Sequence, residues 1–162
     1  MTAIKKASGF SKGTLPVIAG DCAGDVVVND YYVDVLAAQL TAGGMFDVGQ
    51  LPAGHIPVGV TLAPDDLDTD GTPAITLDVG ILTGTPGDET SDRTCGAEFL
   101  SASTVGQGGT EASATVHAMR LVTPVDYHRS IGVKVVTPPG AAAAGRIRLR
   151  VLIAPAGYSQ QF

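Results

Sequence analysis

Residues 56–82 read IPVGVTLAPDDLDTDGTPAITLDVGIL, two apolar runs of period two on either side of an acidic segment. Alternate residues of a β-strand point to opposite sides, so each run predicts a strand that buries one apolar face in a shared core. Asp and Gly are good turn formers, so the acidic segment predicts a turn that joins the strands as a hairpin. The predicted inward residues are Ile56, Val58, Val60 and Leu62 in the first run and Ile75, Leu77, Val79 and Ile81 in the second.

The outward faces of these two strands carry small or weakly polar residues rather than Lys and Glu. A strand face of this kind suits close contact with another surface better than exposure to solvent. The pattern therefore favours assembly over catalysis. The residues are Pro57, Gly59, Thr61 and Ala63 in the first strand and Thr76, Asp78 and Gly80 in the second.

The composition indicates one folded domain of low charge. A chain of 162 residues with 44% hydrophobic content can bury a substantial core. Charged residues make up 16% of the chain, below the roughly 25% usual for soluble domains. The formal net charge of -6 argues against nucleic acid as a partner, because binding the phosphate backbone needs clustered Lys and Arg.

Neither a membrane span nor a secretory signal is expected. The sequence has no run close to the roughly 18 apolar residues of a transmembrane helix, and residues 1–9 lack the apolar segment of a signal peptide. We expect the protein to be made in the cytoplasm and to stay there until it joins an assembly.

Short strand-like segments separated by Gly/Pro turns follow one another along the chain, which is typical of an all-β sandwich or barrel. Residues 1–13 predict a flexible or partner-ordered N-terminal arm, residues 14–154 a single β-domain, and residues 155–162 a C-terminal tail. The alanine run at 141–144 is too short for a stable helix and predicts a loop. The predicted strands are 15–19, 25–28, 31–40, 45–48, 56–63, 74–82, 97–105, 114–122, 130–137 and 145–153.

The acidic segment also invites comparison with a calcium site. Asp66, Asp68 and Asp70, followed by Gly71, match the opening of an EF-hand loop, in which alternate carboxylates converge on the cation. Leu77 stands where that loop needs its bidentate Glu, and no flanking helices are expected. The pattern favours a plain turn, with a calcium site as the weaker alternative.

Three arginines form the most concentrated positive feature. Arg146, Arg148 and Arg150 alternate with apolar residues, which places the three guanidinium groups on one strand face. Two interpretations stay open: an exposed face kept soluble by charge, or a ladder that pairs with carboxylates of a neighbouring subunit. Lys5 and Lys6, in the predicted arm, are further interface candidates.

The sequence predicts neither an enzyme nor a cofactor site. It contains no Gly-x-Ser-x-Gly elbow, and its three histidines match neither a zinc nor a triad pattern. Cys22 and Cys95 match no metal spacing or CxxC motif. Two free thiols are expected in a cytoplasmic protein, with a disulfide formed after release from a cell as the alternative.

Several segments, in the same order, resemble small virion structural proteins of tailed bacteriophages. The likeness covers residues 15–153, and it is the order of the segments that carries it. The segments are Leu51-Pro-Ala-Gly-His55, Asp65-Asp-Leu-Asp68, Ile75 to Gly84, Phe99 to Val105, Asp126 to Val136, and Gly145-Arg-Ile-Arg-Leu149.

The resemblance implies a β-sandwich of jelly-roll type that acts as a decoration, or cement, protein on the outside of the phage head. Such proteins bridge neighbouring major capsid subunits, often as trimers at local three-fold positions, and carry no catalytic residues. Two other functions stay open: a tail or baseplate component, and a carbohydrate-binding jelly-roll module. The second would stack sugar rings on exposed aromatics, yet the chain has no Trp and only 5% aromatic residues.

Overall fold

The computed structural model describes residues 2–9, 11–14 and 25–156. Besides eleven strands, these residues form one short helix, α1 (Val116–Arg120), and two 3-10 turns, Ala37–Gln39 and Val105–Gln107. Nearly all of the regular structure is therefore β. The strands are β1 (Thr2–Ala3), β2 (Lys6–Ala7), β3 (Val27–Val35), β4 (Met45–Leu51), β5 (His55–Pro64), β6 (Thr76–Leu82), β7 (Asp92–Arg93), β8 (Leu100–Ser103), β9 (Ala112–Ser113), β10 (Arg129–Thr137) and β11 (Gly145–Pro155).

Two sheets face each other across one core. The five-stranded sheet has the order β2-β4-β10-β6-β8, and the four-stranded sheet has the order β3-β11-β5-β9. β1 and β7 form a separate two-stranded sheet. Strand β2 runs parallel to β4, while the other strand pairs are antiparallel. The predicted all-β sandwich is confirmed.

The core is built from alternate residues of the central strands. In β11, Ile147, Leu149 and Val151 are fully buried while the arginines between them are exposed. Ile131 and Val133 of β10 are fully buried in the same cluster. The two sheets are thus held together by apolar side chains that alternation places on their inner faces.

The two apolar runs of residues 56–82 do not form a hairpin. β5 lies in the four-stranded sheet and β6 in the five-stranded sheet, so residues 65–75 cross from one sheet to the other. The hairpin prediction is wrong because the alternation shows only that each strand has one buried face. Two strands can bury such faces side by side in one sheet or opposite each other across a core.

A β-bulge breaks the predicted inward face of β5. Leu152 pairs with Gly59 and Ile153 pairs with Pro57, so Val58 is the extra residue on its strand. Pro57 is consequently buried, whereas Val58 is 38% exposed. A bulge shifts the alternation by one residue, and a strict period of two could not predict that shift.

Other predicted secondary-structure elements also differ from those in the structure. β3 runs without a break through Asn29 and Asp30, where a turn was expected. Residues 114–122 contain helix α1 instead of a strand, and the Thr115 hydroxyl caps it by accepting a hydrogen bond from the N–H of Ala118 (3.2 Å). The alanine run at 141–144 forms a loop, as expected. The predicted strand at 15–19 lies outside the described residues.

The described residues of the predicted flexible arm are packed on their own domain. β2 adds to the edge of the five-stranded sheet, and Ile4 is buried in a small cluster with Met45, Leu82 and Cys95. Part of the predicted arm is therefore packed against the sandwich through Ile4 and β2, and the division of the chain into arm, domain and tail stays a prediction. Polar composition concealed the anchoring role of Ile4. No helix in the described part of the chain is long and apolar enough to cross a membrane.

Candidate functional site

The three arginines lie on the outer face of the four-stranded sheet. The register between β3 and β11 sets Arg150 opposite Asp30, Arg148 opposite Tyr32, and Arg146 opposite Asp34. We call the outward side chains of β3 and β11, from Val28 to Asp34 and from Arg146 to Leu152, the charged face. The predicted arrangement of the three guanidinium groups on one strand face is confirmed.

The arginines on the charged face are paired with carboxylates of their own chain. Arg146 Nε lies 2.7 Å from Asp34 Oδ1, and Arg150 Nε lies 2.7 Å from Asp30 Oδ1. Each of these two arginines donates a second bond through Nη2, at 3.3 and 3.2 Å. Arg148 Nη1 lies 2.6 Å from Asp65 Oδ1. One of the two open interpretations placed the pairing carboxylates on a neighbouring subunit, and in the structure the same chain supplies a carboxylate to each arginine.

Pairing favours the charged form of Asp34, Asp65 and Arg146. The hydrogen bond from Arg146 lowers the pKa of Asp34, and the bond from Arg148 lowers the pKa of Asp65. The bond to Asp34 raises the pKa of the Arg146 guanidinium in turn. All of these groups are well exposed, so water screens the pairs and they add little to folding stability.

A shallow depression of about 480 Å³ crosses the charged face. Tyr32 lies beneath Arg146, whose guanidinium carbon is 4.4 Å from the ring centroid. A cation–π contact of this kind helps to hold the guanidinium over the ring. The depression is lined by both signs of charge, including Glu111 beside β9, which is a pattern suited to binding a mixed-charge surface.

One end of the charged face is apolar. Val28 pairs with Leu152, which pairs in turn with Gly59 of β5. Val28 is 49% exposed, and the bulge in β5 brings Val58 to the surface beside this row. A Cβ at Gly59 would lie 3.3 Å from the Leu152 side chain, so the glycine leaves room for Leu152 to lie across β5.

Around Asp47 and Ser130, the outer face of the five-stranded sheet is covered by other segments of the same chain. Arg93 Nη1 lies 2.7 Å from Asp47 Oδ2, and neither side chain is exposed to solvent. Ser130 Oγ accepts from Arg93 Nη2 (3.0 Å) and donates to Asp47 Oδ2 (2.9 Å). Ser11 Oγ donates to the second Asp47 oxygen, and the N–H of Gly87 donates to Oδ2 (2.9 Å). We call Asp47, Arg93 and Ser130 the buried polar cluster.

This cluster joins two loop segments to the sheet beneath them. Ser11 belongs to the N-terminal segment, while Gly87 and Arg93 belong to the chain between β6 and β8. Sequence reasoning missed the cluster. The one available signal was Asp47, a charged residue within an apolar strand-like run, which requires a partner if it is buried.

Close backbone contact explains a small residue on this covered face. A Cβ at Gly80 would lie 2.3 Å from the backbone of Gly96 and 2.2 Å from the Glu98 carboxylate. The small outward residues of β6 do mark contact with another surface, as expected, but that surface is another part of the same chain.

The acidic segment at 65–70 organises two loops through Asp68. Its carboxylate accepts backbone N–H bonds from Ala74 (2.7 Å), Ile75 (3.1 Å), Gly140 (3.1 Å) and Ala141 (2.9 Å). Burial raises the pKa of Asp68, but these hydrogen bonds outweigh the burial and hold that pKa far below its usual range. The carboxylate that a calcium ion would need is thus occupied by amide donors.

The flanking aspartates form local turns. Asp66 accepts the N–H of Asp68 (3.1 Å), and Asp70 accepts the N–H of Thr72 (2.8 Å). Within residues 2–9, 11–14 and 25–156, no group of three or more His, Cys, Asp or Glu side chains is arranged to hold a metal ion. Asp66 and Asp70 act as turn formers in this loop, while Asp68 links it to the loop at 138–144.

The remaining candidates take separate positions. Lys5 is exposed, and Lys6 Nζ donates to the backbone oxygen of Asp34 (2.9 Å), beside the charged face. Cys95 is a buried free thiol, and burial raises its pKa to about 12. Cys22 lies outside the described residues, so the expectation for the two thiols stays a prediction.

Comparison with known proteins links the chain to virus shells. It is similar to a chain in the solved capsid of Ralstonia phage GP4, with 40% sequence identity and a TM-score of 0.85, over 91% of this chain and 96% of that chain. It is also similar to a chain in the capsid asymmetric unit of cyanophage Pam1, with 31% identity and a TM-score of 0.65, over 86% and 91% of the two chains. No protein-family model and no curated protein matches the chain.

Proposed function

This chain belongs to a family of bacteriophage capsid structural proteins, and from that premise we propose that it is a decoration protein of the phage head. It binds the outer surface of the shell and stabilises the lattice of the major capsid protein. The observation that carries the proposal is the 40% identity to a capsid chain over nearly the full length of both chains. The resemblance to small head proteins of tailed phages supplies the finer assignment.

The physical character of the domain supports this role. A protein that binds only the assembled lattice stabilises it by mass action, and many copies of modest affinity add up along a shell. Such contacts need folded, weakly charged surfaces with a few ion pairs at their edges. A charged fraction of 16% and the paired arginines of the charged face meet these requirements.

The strand order supports jelly-roll connectivity, which is a common architecture of viral capsid domains. The eight strands β3–β6 and β8–β11 divide equally between the two sheets. Reading along each sheet, β3 neighbours β11, β4 neighbours β10, and β5 lies between β11 and β9. Early strands thus lie beside late ones, as they do when a long hairpin is rolled into a sandwich.

The partner in this role is the major capsid protein, and we further propose that copies of the chain form trimers at local three-fold positions. The chain would be made in the host cytoplasm and would end on the outer surface of the virion head. The net charge of -6 does not suit contact with packaged DNA. The two solved chains described above come from capsids, which favours the head over a tail or baseplate location.

A reconstitution experiment tests the proposal. Heads that lack this protein are mixed with the purified chain and sedimented, and tails from the same phage serve as the control particle. The expected result is saturable binding to heads, with a higher temperature of head disruption after binding. Binding to tails alone, or no binding to heads, would contradict the assignment.

A further inference from the structure

The charged face is built from four rows, each made of one residue from β3 and one from β11. One row is apolar and two rows are acid–base pairs. In the remaining row Tyr32 is the register partner of Arg148, whose guanidinium pairs with Asp65, while the Tyr32 ring contacts Arg146 of the next row. From one end of the face to the other, the rows are Val28–Leu152, Asp30–Arg150, Tyr32–Arg148 and Asp34–Arg146.

This pattern makes the face complementary to itself. Consider a two-fold axis that runs parallel to the strands, midway between β3 and β11. A rotation of 180° about this axis places β3 of one copy over β11 of the other. The rotation causes no shift along the strands, so each row of one copy faces the same row of the other. Asp30 then faces Arg150 of the second copy, and Val28 faces Leu152, so like charges do not meet.

We propose that the charged face packs against the same face of a second copy of this chain about such an axis, so that the contact joins two of the proposed trimers while the three-fold contact uses another part of the surface. A two-fold contact of this kind uses one patch on both partners, as isologous interfaces do. Packed sheets lie about 10 Å apart, a gap that Arg and Asp side chains can fill from both sides. Each acid–base row of one copy would then face the same row of the other copy, and the four side chains would form a cluster of two aspartates and two arginines.

The chemistry of the arginines fits a second carboxylate. A guanidinium has five N–H donors in a planar fork, and the contacts of Arg150 with Asp30 use two of them. The side chains of Arg150 and Asp30 are 60% and 63% exposed. A facing copy would exclude water from these pairs, and exclusion of water strengthens charge complementarity.

The apolar end adds a hydrophobic contribution to the same contact. The bulge moves Val58 from the core side of β5 to the surface. There it lies beside Leu152 of β11, on the side away from β3. In the two-fold arrangement Val58 lies over the edge of the partner's β3. An apolar patch next to arginine and tyrosine is the usual composition of the centre of an interface.

A charge-swap experiment tests the contact directly. We make D30R and R150D separately and measure self-association of each variant by sedimentation equilibrium over a concentration series. Each variant alone faces like charge against like charge, so association should fall about tenfold or more relative to the wild type. In an equal mixture, a copy of D30R facing a copy of R150D again sets an arginine over an aspartate at both positions. Association of the mixture should therefore return to within about threefold of wild type.

Restoration in the mixture can come only from a contact between chains, because neither variant regains its own internal pair. Circular dichroism checks that both variants fold, and R120D, an exposed change on helix α1, serves as the matched control that leaves association unchanged. A mixture that associates no better than the single variants would overturn the proposal. So would unchanged association of either variant, or loss of head binding in both variants without any loss of self-association.

The apolar end gives a second, independent readout. L152E should also weaken self-association, since it places a carboxylate of each copy over Val28 of the other copy. V136E is its control, since Val136 is 41% exposed on β10, in the other sheet. Equal effects of the two variants would count against the proposed contact.

Discussion

The two outer faces of the sandwich use the same ion pair in opposite settings. On the five-stranded sheet, Arg93 and Asp47 lie 2.7 Å apart with no exposure to solvent. On the four-stranded sheet, Arg150 and Asp30 lie 2.7 Å apart, and about three-fifths of each side chain is exposed. Distance alone therefore says little about what an ion pair does in this protein.

The difference lies in what surrounds each pair. Asp47 also accepts bonds from Ser11, Gly87 and Ser130, so the buried charge is fully satisfied and ties loop segments to the sheet. The exposed pairs join β11 to β3 and to the segment that follows β5, and they leave much of each side chain in contact with water. We infer that the first face serves folding, whereas the second is left for contact with other molecules.

The largest effect is expected when one member of the buried pair is removed. Arg93→Met leaves the Asp47 charge buried without its partner, which costs about 3–5 kcal/mol and should lower the Tm by roughly 10 °C. Thermal unfolding followed by circular dichroism measures the change, with Arg120→Met as the exposed control. A loss below about 1 kcal/mol would mean that the buried cluster does not hold this face together.

A double variant tests whether Asp47 and Arg93 contribute to stability as a pair. Replacing both partners, as Asp47→Leu with Arg93→Met, removes the unpaired charge, although the N–H of Gly87 then loses its acceptor. The Tm of the double variant should lie above the value expected from the sum of the two single changes. Strict additivity would show that the two side chains act independently.

The next effect in size is expected at Asp68, which links the loop at 66–75 to the loop at 138–144 through backbone donors. Asp68→Asn keeps the size of the side chain but replaces one acceptor oxygen with an N–H₂ donor, so some of the four amides lose their partner. The Tm should fall by about 5 °C. Asp66→Asn, which changes only a local turn, should lower it much less, and equal losses would contradict the linking role.

Lowering the pH should reveal how much the paired and hydrogen-bonded carboxylates contribute to folding stability. The folded pKa values of Asp34, Asp65 and Asp68 are lowered, so the folded state binds fewer protons than the unfolded chain near pH 4. The stability from these carboxylates is present above their ordinary pKa near 4 and is lost as the pH falls below it. Between about pH 6 and pH 2 the wild-type Tm should fall more steeply than the Tm of Asp68→Asn. Parallel curves would remove Asp68 as a source of the acid sensitivity.

The smallest effect on folding is expected on the charged face. Arg146→Ala removes an exposed pair with Asp34, and water screens such pairs, so the Tm should change by less than about 2 °C. Self-association of the same variant should nevertheless weaken. A large fall in Tm would show that this face, like the other, serves mainly to hold the fold together.

The sequence predicted well those parts of the fold that depend on local alternation. β10 and β11 were placed within a few residues, because Ile131, Val133, Ile147 and Leu149 recur with period two and each strand has one fully buried face. The arginine row followed from the same rule. Such patterns need no knowledge of which strand lies next to which.

Features that depend on distant contacts could not be predicted in this way. The bulge at Val58 is visible only in the pairing with β11, and the partners Asp47 and Arg93 are 46 positions apart. Whether β5 and β6 share a sheet is decided by β10 and β11, which come much later in the chain. Alternation specifies the buried face of a strand but not its neighbours.

The most direct test of the decoration function is the position of the protein on reconstituted heads. Heads lacking this chain are saturated with purified protein and imaged by cryo-electron microscopy, with untreated heads for subtraction. We expect new density of β-sandwich shape on the outer surface of the shell, at repeated positions of the lattice. Density within the continuous shell wall, on its inner surface, or confined to the tail would contradict it.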